Sequence, residues 1–382
     1  MKIGILTILN VNNYGAELQC CALYRKLQKM GYNAEVVNFL FGINPSHDFN
    51  GERLTVPISF KQRVKVRLLP IAQNLLCLFH QRNKVLRNKR FDEFHAKYNR
   101  LTKTVYPSVR SLYDANFDYD MICIGSDQVW NYEKGYSLEP FLACFAKKGT
   151  KKVSYASSVG LSVISKEAEE VFKKWLSKFS WLSVREQQAS KLLGDLLHRD
   201  VDVVLDPTLL LDSQEWLEVA KFDMCPKGKY LLVYIVTIKP CDYVLELARY
   251  IAKQRNLKIV RICRDAYPEH SGNDVQEILT AGPSDFVGLF ARAEYVVTNS
   301  FHGTVFSVNF SKPFYSVIKS RHSTNSRLTS ILQKLGLEDR IVSVGTPLPQ
   351  IRDIDYSLSA EKLKNERQHS LEYIRKAFSN QA

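Results

Sequence analysis

The chain has 382 residues, 45% of them hydrophobic and 24% charged, a composition typical of a globular protein rather than a disordered one. This length exceeds the usual size of a single core and favours two domains. The formal net charge is +14, but no recognised nucleic-acid module accompanies it, which argues against nucleic acid as a partner.

Targeting and metal-binding signals are not apparent in the sequence. Residues 1–9 carry one lysine and pass directly into a polar loop, unlike a signal peptide. The apolar run 68–79 is too short to span a bilayer and is interrupted by Pro70. The eight cysteines lack metal-ligand spacing and read as buried thiols. We therefore expect a cytoplasmic protein without a metal site.

The first half alternates predicted strands and helices. Lys2–Leu9 is predicted as a strand, and Gly31 is placed to end the helix that follows. One face of that helix carries apolar residues at three- and four-residue spacing, namely Ala16, Cys20, Leu23, Leu27 and Met30. Further strands are predicted at 35–39, 121–124, 153–156, 181–184 and 201–205.

A second series follows the Pro- and Gly-containing segment 206–229. Strands are predicted at 230–236, 258–263, 294–298 and 314–318, with helices near 243–254, 284–292 and 305–310. This pattern predicts an α/β fold of two Rossmann-like domains with mostly parallel sheets, facing each other across a cleft that binds ligands. The predicted domains are 1–215 and 216–355, followed by a helical tail at 356–382.

Positive charge is concentrated between Lys61 and Arg100, where eleven basic and two acidic residues leave a surplus of nine. Interleaved aliphatic residues make this basic insertion amphipathic, as expected for contact with an anionic membrane surface or an anionic lipid-linked substrate. A solvated basic helical face is the alternative. Binding to anionic vesicles that weakens with added salt would support the first interpretation.

Polar motifs follow several predicted strands. The strand 121–124 leads into Gly125–Ser126–Asp127–Gln128–Val129–Trp130–Asn131, where the glycine permits a tight turn. Asp127 is a candidate base, with a helix N-cap as the alternative role. Asn12–Asn13–Tyr14–Gly15 makes another strand-to-helix turn, polar enough to contact a sugar.

A cation follows the strand 181–184. Arg185 could bind a carboxylate or phosphate with two parallel hydrogen bonds. An ion pair with Glu186 or another nearby carboxylate is the alternative. Neither GxGxxG nor GxxxxGK[ST] occurs in these turns, which argues against a dinucleotide cofactor and against a nucleotide triphosphatase.

One histidine lies in a strand-to-helix turn with the sequence Ser300–Phe301–His302–Gly303–Thr304. A helix start presents backbone N–H groups and the positive end of a dipole, so Gly303 and Thr304 could let a phosphate approach. His302 would then stand within proton-transfer reach. The alternative is that His302 only caps its helix.

Taken in order, these motifs resemble the polysaccharide pyruvyl transferase family. The resemblance covers about residues 1–345 and rests on Asn13–Tyr14–Gly15, Gly125–Ser126–Asp127–Gln128–Val129–Trp130, Ser154–Tyr155–Ala156, Ser183–Val184–Arg185–Glu186, Asp206–Pro207–Thr208, Thr298–Asn299–Ser300–Phe301–His302–Gly303–Thr304 and Arg327. Relatives more often carry aspartate at the position of Asn299.

The resemblance implies a GT-B-like fold and transfer of pyruvate from phosphoenolpyruvate to a saccharide hydroxyl pair as a ketal. The product would belong to a surface polysaccharide such as a capsule or exopolysaccharide. The acceptor would be lipid-linked and used at the inner face of the membrane. Phosphoenolpyruvate would be a co-substrate, and no cofactor is expected.

The resemblance also implies roles for individual residues. His302 is the leading proton donor or phosphate-activating acid and Asp127 the leading acceptor-side base, although these two roles could be exchanged. Donor contacts are expected from Arg185, Ser300, Phe301, Gly303, Thr304 and Arg327. Acceptor contacts are expected from Asn13, Tyr14, Gln128, Trp130 and Asn131. The alternatives are a GT-B nucleotide-sugar glycosyltransferase, a catalytically silent saccharide-binding protein, and a family member with another acceptor such as a cell-wall or glycoprotein sugar.

Overall fold

The computed structural model describes residues 1–40, 80–134, 136–236, 241–266, 268–269, 271–319 and 326–379. These residues form two compact units. The first contains residues 1–40, 95–210 and 366–379, and the second contains the described residues within 80–94 and 211–365. The chain passes from the first unit to the second after residue 210 and returns to the first at residue 366, within the final segment predicted as a helical tail.

The chain opens with a βαβ arrangement. Asn13 caps the first helix, since its side chain accepts hydrogen bonds from the N–H groups of Gly15 and Ala16. Gly31 follows the helix end with a φ of 85°, the left-handed conformation that glycine adopts readily. The helices and strands up to residue 210 are β1 (Lys2–Leu6), α1 (Tyr14–Lys29), β2 (Asn33–Val36), α2 (Gln81–Tyr98), α3 (Val109–Asp114), β3 (Met121–Ile124), β4 (Lys151–Ser154), α4 (Lys166–Leu176), β5 (Ser183–Val184), α5 (Gln187–Leu197) and β6 (Asp202–Val203).

The sheet of the first unit is parallel, with the strand order β2-β1-β3-β4. A parallel pair, β5-β6, continues it through bridges from Val153 to Trp181 and from Ser157 to Val184. β2 lies on one side of β1, whereas β3 and the later strands lie on the other side, so the order of the strands reverses between β1 and β3. In doubly wound sheets, ligands bind outside the carboxyl ends of the strands at such a switch point.

The second unit contains a longer alternation. Its elements after residue 210 are α6 (Ser213–Leu217), β7 (Tyr230–Tyr234), α7 (Cys241–Arg255), β8 (Lys258–Ile262), β9 (Val275–Ile278), α8 (Pro283–Arg292), β10 (Tyr295–Thr298), α9 (Phe301–Asn309), β11 (Phe314–Ile318), α10 (Ser326–Leu335), β12 (Ile341–Ser343) and the final helix α11 (Ser357–Ala377), which continues into the first unit.

The second sheet is parallel and has the order β12-β11-β10-β7-β8-β9. Counted from β7, this is the Rossmann strand order, with its switch point between β7 and β10. Every residue of β7 and β11 is buried, as expected for parallel strands covered by helices on both faces. The predicted Rossmann-like architecture is therefore confirmed for each unit.

The predicted and observed strands differ mainly in length. The strands predicted at 121–124 and 314–318 have the same bounds in the structure. The strand predicted at 201–205 is reduced to Asp202–Val203, and β9 and β12 were not predicted. Among the described residues, no helix is both long and apolar enough to cross a bilayer.

Candidate functional sites of the two units

Arg185 joins three motifs of the first unit in one buried ion-pair cluster. Its Nη1 donates to Asp206 Oδ2 at 2.8 Å and its Nη2 to Asp127 Oδ1 at 3.1 Å, while its Nε lies 3.9 Å from Glu186 Oε2. The Arg185 side chain is only 1% exposed. This is the ion pair that the sequence left open as the alternative to ligand binding.

The charge balance of the cluster keeps Arg185 protonated. Desolvation by burial acts to lower the pKa of Arg185, but Asp127, Asp206 and Glu186 together outweigh it and raise that pKa. Asp206 is held in turn by the N–H of Thr208 at 3.0 Å and by Ser126 Oγ at 3.2 Å. The cluster therefore fixes the ends of β3 and β5 and the turn after β6 relative to one another.

Asp127 is the member of this cluster that reaches the surface. Its side chain is 18% exposed, against 1% for Arg185 and 0% for Asp206. Its φ is 72°, a left-handed conformation that aspartate tolerates better than most residues. Strained backbone of this kind concentrates at functional sites. Asp127 follows β3, so it lies at the switch point of the first sheet.

The predicted acceptor residues are not equally accessible. Trp130 is fully buried, and its Nε1 donates to the carbonyl of Phe141 at 2.9 Å. Tyr14 is 1% exposed. Both therefore pack in the core, so contact with an acceptor would require them to move. The exposed Asn13, half-buried Gln128 and buried Asn131 also lie in the turns after β1 and β3, with Asn131 Nδ2 donating to Gln128 Oε1 at 3.4 Å.

The histidine turn of the second unit starts α9 at the carboxyl end of β10. Ser300 is the N-cap, since its Oγ accepts a hydrogen bond from the N–H of Gly303 at 3.2 Å. The alternative that His302 serves as the cap is therefore wrong. The His302 side chain lies in the first turn, and the residue is 8% exposed. Its ring packs edge-on against the half-buried Phe301 ring, with the two ring centroids 5.3 Å apart.

Close packing explains the small residues of this turn. A Cβ on Gly303 would lie 2.4 Å from Thr298 Oγ1, so only glycine lets α9 approach β10 this closely. Thr304 is fully buried, and its hydroxyl contacts the Ser300 carbonyl and Ser316 Oγ. Gly303 and Thr304 thus determine how α9 packs against β10 and β11, and the donor contacts expected of them stay a prediction.

Asn299 ties this turn to the neighbouring strand of the switch point. Its Oδ1 accepts a hydrogen bond from the N–H of Val236, just beyond β7, at 2.8 Å. An amide oxygen suffices for this bond, so asparagine can hold the position where relatives more often carry aspartate. Arg327 is half-buried in the first turn of α10, and its expected donor contact also stays a prediction.

The sequence missed a cation beside this site. Arg264 follows β8, and its Nη1 donates to the carbonyl of Val236 at 3.2 Å. Its Nε and Nη2 both donate to Asp265 Oδ2, at 3.0 and 2.7 Å. The available signal was its place: Arg264 comes directly after the predicted strand 258–263.

The basic insertion is described only from residue 80, so its part at 61–79 lies outside the described residues. Within α2, Arg87 is 5% exposed and lies over the Phe91 ring at 5.3 Å. Arg90 donates to the carbonyl of Thr280 at 2.7 Å. Some of the charge therefore serves packing, while Arg82 and Lys89 remain exposed. Across the described part of the chain, no group of three His, Cys, Asp or Glu residues could hold a metal ion.

Solved structures share this fold at low sequence identity. UDP-GlcNAc 2-epimerase from Methanocaldococcus jannaschii is 13% identical, with a TM-score of 0.52 over 96% of this chain and 92% of that chain. S. aureus MnaA, solved with UDP, is 10% identical, with a TM-score of 0.52 over 97% and 90%. A glycosyltransferase from Rickettsia africae is 9% identical, with a TM-score of 0.50 over 99% of each chain. These likenesses confirm the predicted GT-B-like fold class.

A family model described as polysaccharide pyruvyl transferase matches residues 13–320. The match contains both the Asp127 and the His302 turns and confirms the resemblance seen in the motifs. Curated protein sequences give no significant match.

Proposed function

The chain belongs to the polysaccharide pyruvyl transferase family, and we propose that it transfers pyruvate from phosphoenolpyruvate to two hydroxyls of a saccharide as a ketal. The observation that carries this proposal is the His302 turn, placed at the switch point of a Rossmann-type sheet inside the matched region. A helix start at such a point suits a phosphate-bearing ligand.

The reaction needs proton transfer at two places. The methylene carbon of phosphoenolpyruvate gains a proton while the oxygen of one sugar hydroxyl bonds to the central carbon. A second hydroxyl oxygen then bonds to the same carbon as phosphate leaves, and both hydroxyl protons are released. We assign His302 as the proton donor on the donor side and Asp127 as the acceptor-side base, with exchange of these two roles as the alternative.

We assign most of the donor contacts to residues of the second unit. Ser300 and Phe301 open α9, where the helix dipole favours an anion. Arg327 supplies a cation from the first turn of α10. Arg185 is retained as a donor contact, although its observed partners are carboxylates. Its cluster also orients Asp127, so the two roles of Arg185 require separate measurements.

The proposed acceptor is a saccharide, lipid-linked and used at the inner face of the membrane in making a surface polysaccharide. Asn13 and Gln128 are its leading contacts because both are accessible in turns at the switch point of the first sheet. The exposed Arg82 and Lys89 support attraction to anionic lipid or to a lipid-linked diphosphate.

A direct assay tests the proposed reaction. The enzyme is incubated with phosphoenolpyruvate and a panel of lipid-linked and nitrophenyl glycosides, and phosphate release and product mass are followed. We expect phosphate release that depends on the acceptor, together with a product heavier by one pyruvyl group. Stabilisation by a nucleoside diphosphate but not by phosphoenolpyruvate, with no phosphate release, would favour the nucleotide-sugar glycosyltransferase instead.

Asp127→Asn should lower turnover by about 100- to 10,000-fold, because an amide cannot accept the acceptor proton. Asparagine tolerates the left-handed backbone at this position, so the fold should persist. The rate is measured as phosphate release, and folding by thermal melting. Asp114→Asn is the matched control, since Asp114 is exposed and forms a surface pair with Arg110. Turnover near that of the wild type in folded Asp127→Asn would remove Asp127 from the chemistry.

A further inference from the structure

Arg264 occupies a position in the second unit that the proposed mechanism does not use. It follows β8, and its side chain is 31% exposed. The guanidinium is oriented by two bonds to Asp265 and one to the carbonyl of Val236. Its backbone N–H donates to Glu269 Oε1 at 2.7 Å, which fixes the main chain. The cation is therefore held in place yet accessible from the carboxyl edge of the sheet.

Val236 connects this cation to the histidine turn. Its carbonyl accepts from Arg264, and its N–H donates to Asn299, three residues before His302. The strands that carry these residues are neighbours in the order β10-β7-β8. Adjacent strands lie about 4.8 Å apart, so the ends of β8 and β10 are separated by about 10 Å. Arg264 and the His302 turn therefore lie on either side of the carboxyl end of β7.

The charge around Arg264 suits an anion better than the charge around Arg185. Arg185 is surrounded by Asp127, Asp206 and Glu186 and is 1% exposed. Arg264 is paired with Asp265, while Glu269 is also paired with the buried Arg261. Desolvation raises the pKa of Glu269 despite the opposing effect of Arg261. The neighbourhood of Arg264 is thus less negative and more accessible.

We propose that Arg264 binds the anionic group of a phosphate-bearing ligand at the carboxyl edge of the second sheet. The inference rests on the proposed function in identifying that ligand as phosphoenolpyruvate. Guanidinium binds phosphate and carboxylate with two parallel hydrogen bonds, which an ammonium group cannot reproduce. Asp265 and Val236 would act as the supports that hold the guanidinium in a binding orientation.

Arg249 provides a matched control within the same unit. It also pairs with an aspartate through two nitrogens, Nε and Nη2, and its Nη2 donates to the carbonyl of Ser271 at 2.6 Å. Its partner Asp274 directly precedes β9, so this pair lies at the opposite, amino end of that strand. Arg249→Ala therefore removes a similar ion pair away from the proposed ligand.

Calorimetry with phosphoenolpyruvate and with UDP as separate probes tests the inference on the full chain. Arg264→Ala should raise the Kd of the probe that the wild type binds by about 10- to 150-fold, the effect of losing a charge-assisted hydrogen bond. Arg264→Lys should recover only part of the affinity. Arg249→Ala should bind like the wild type. Melting temperatures of all three variants check that they are folded.

The outcomes separate this inference from the proposed function. If the wild type converts phosphoenolpyruvate and folded Arg264→Ala binds it unchanged, the role of Arg264 is overturned while the transferase stands. If the wild type binds UDP but not phosphoenolpyruvate, and Arg264→Ala loses UDP, the anion-binding role is supported while the transferase proposal fails. Equal losses in Arg264→Ala and Arg249→Ala would also overturn a specific role for Arg264.

Discussion

Replacing His302 with alanine is expected to lower phosphate release from phosphoenolpyruvate by about 100- to 10,000-fold, the usual contribution of a positioned proton donor. His302→Asn should be similarly slow. An amide retains much of the size and hydrogen-bonding capacity of the ring, but it cannot donate a proton as imidazolium does near neutral pH. Because Ser300 already caps the helix, asparagine has no lost cap to replace at position 302.

Burial makes stability a necessary part of this experiment. His302 is 8% exposed, so its truncation should also cost about 1–3 kcal/mol of folding free energy. His198→Asn is the control, because His198 ends α5 with a φ of 51° that asparagine adopts easily. The control should keep its turnover. Folded His302→Asn with turnover near that of the wild type, at saturating donor and acceptor, would exclude the proton-donor role and leave the family assignment unaffected.

The strands that the sequence predicted well are wholly or mostly apolar. Met121–Ile124 and Phe314–Ile318 are buried along their whole length, so nothing in their pattern competes with a parallel strand. Val275–Ile278 was missed because Gln276 is exposed and Glu277 half-buried at the sheet edge. Its four residues present an interrupted pattern that resembles a loop.

The turns that form the candidate sites were predictable because each follows a buried strand. Their contacts were not. Arg185 pairs with Asp206, which comes 21 residues later in the chain. Only the fold determines which carboxylates lie close to Arg185. The same holds for Asn299 and Val236, which are separated by 63 residues but adjacent across β7 and β10. The full burial of Trp130 could not be predicted from its motif either, and its expected acceptor contact stays a prediction.

Arg185→Ala should lower the free energy of unfolding by about 3–5 kcal/mol, because it leaves buried carboxylates without their shared cation. Asp206 is fully buried and Glu186 nearly so, so water cannot readily replace the guanidinium. Arg185→Lys should rescue this only partly, since one ammonium group cannot bind Asp206 and Asp127 in the geometry of the guanidinium fork. Denaturant unfolding of the purified variants measures the effect.

Arg199→Ala is the control for Arg185→Ala, because it removes an arginine that is bonded to carbonyl groups rather than to buried carboxylates. Arg199 donates to the carbonyls of Phe179 and Ser180, at 2.7 and 3.2 Å. Because these recorded partners are neutral carbonyls rather than carboxylates, its removal should cost only about 1–2 kcal/mol. An equal loss of unfolding free energy in both variants would contradict the ion-pair explanation.

Calorimetry on folded Arg185→Ala then tests whether Arg185 contacts the donor, phosphoenolpyruvate. Phosphoenolpyruvate affinity weaker by about 2–3 kcal/mol would support direct contact, whereas unchanged affinity would confine Arg185 to holding Asp127 in place.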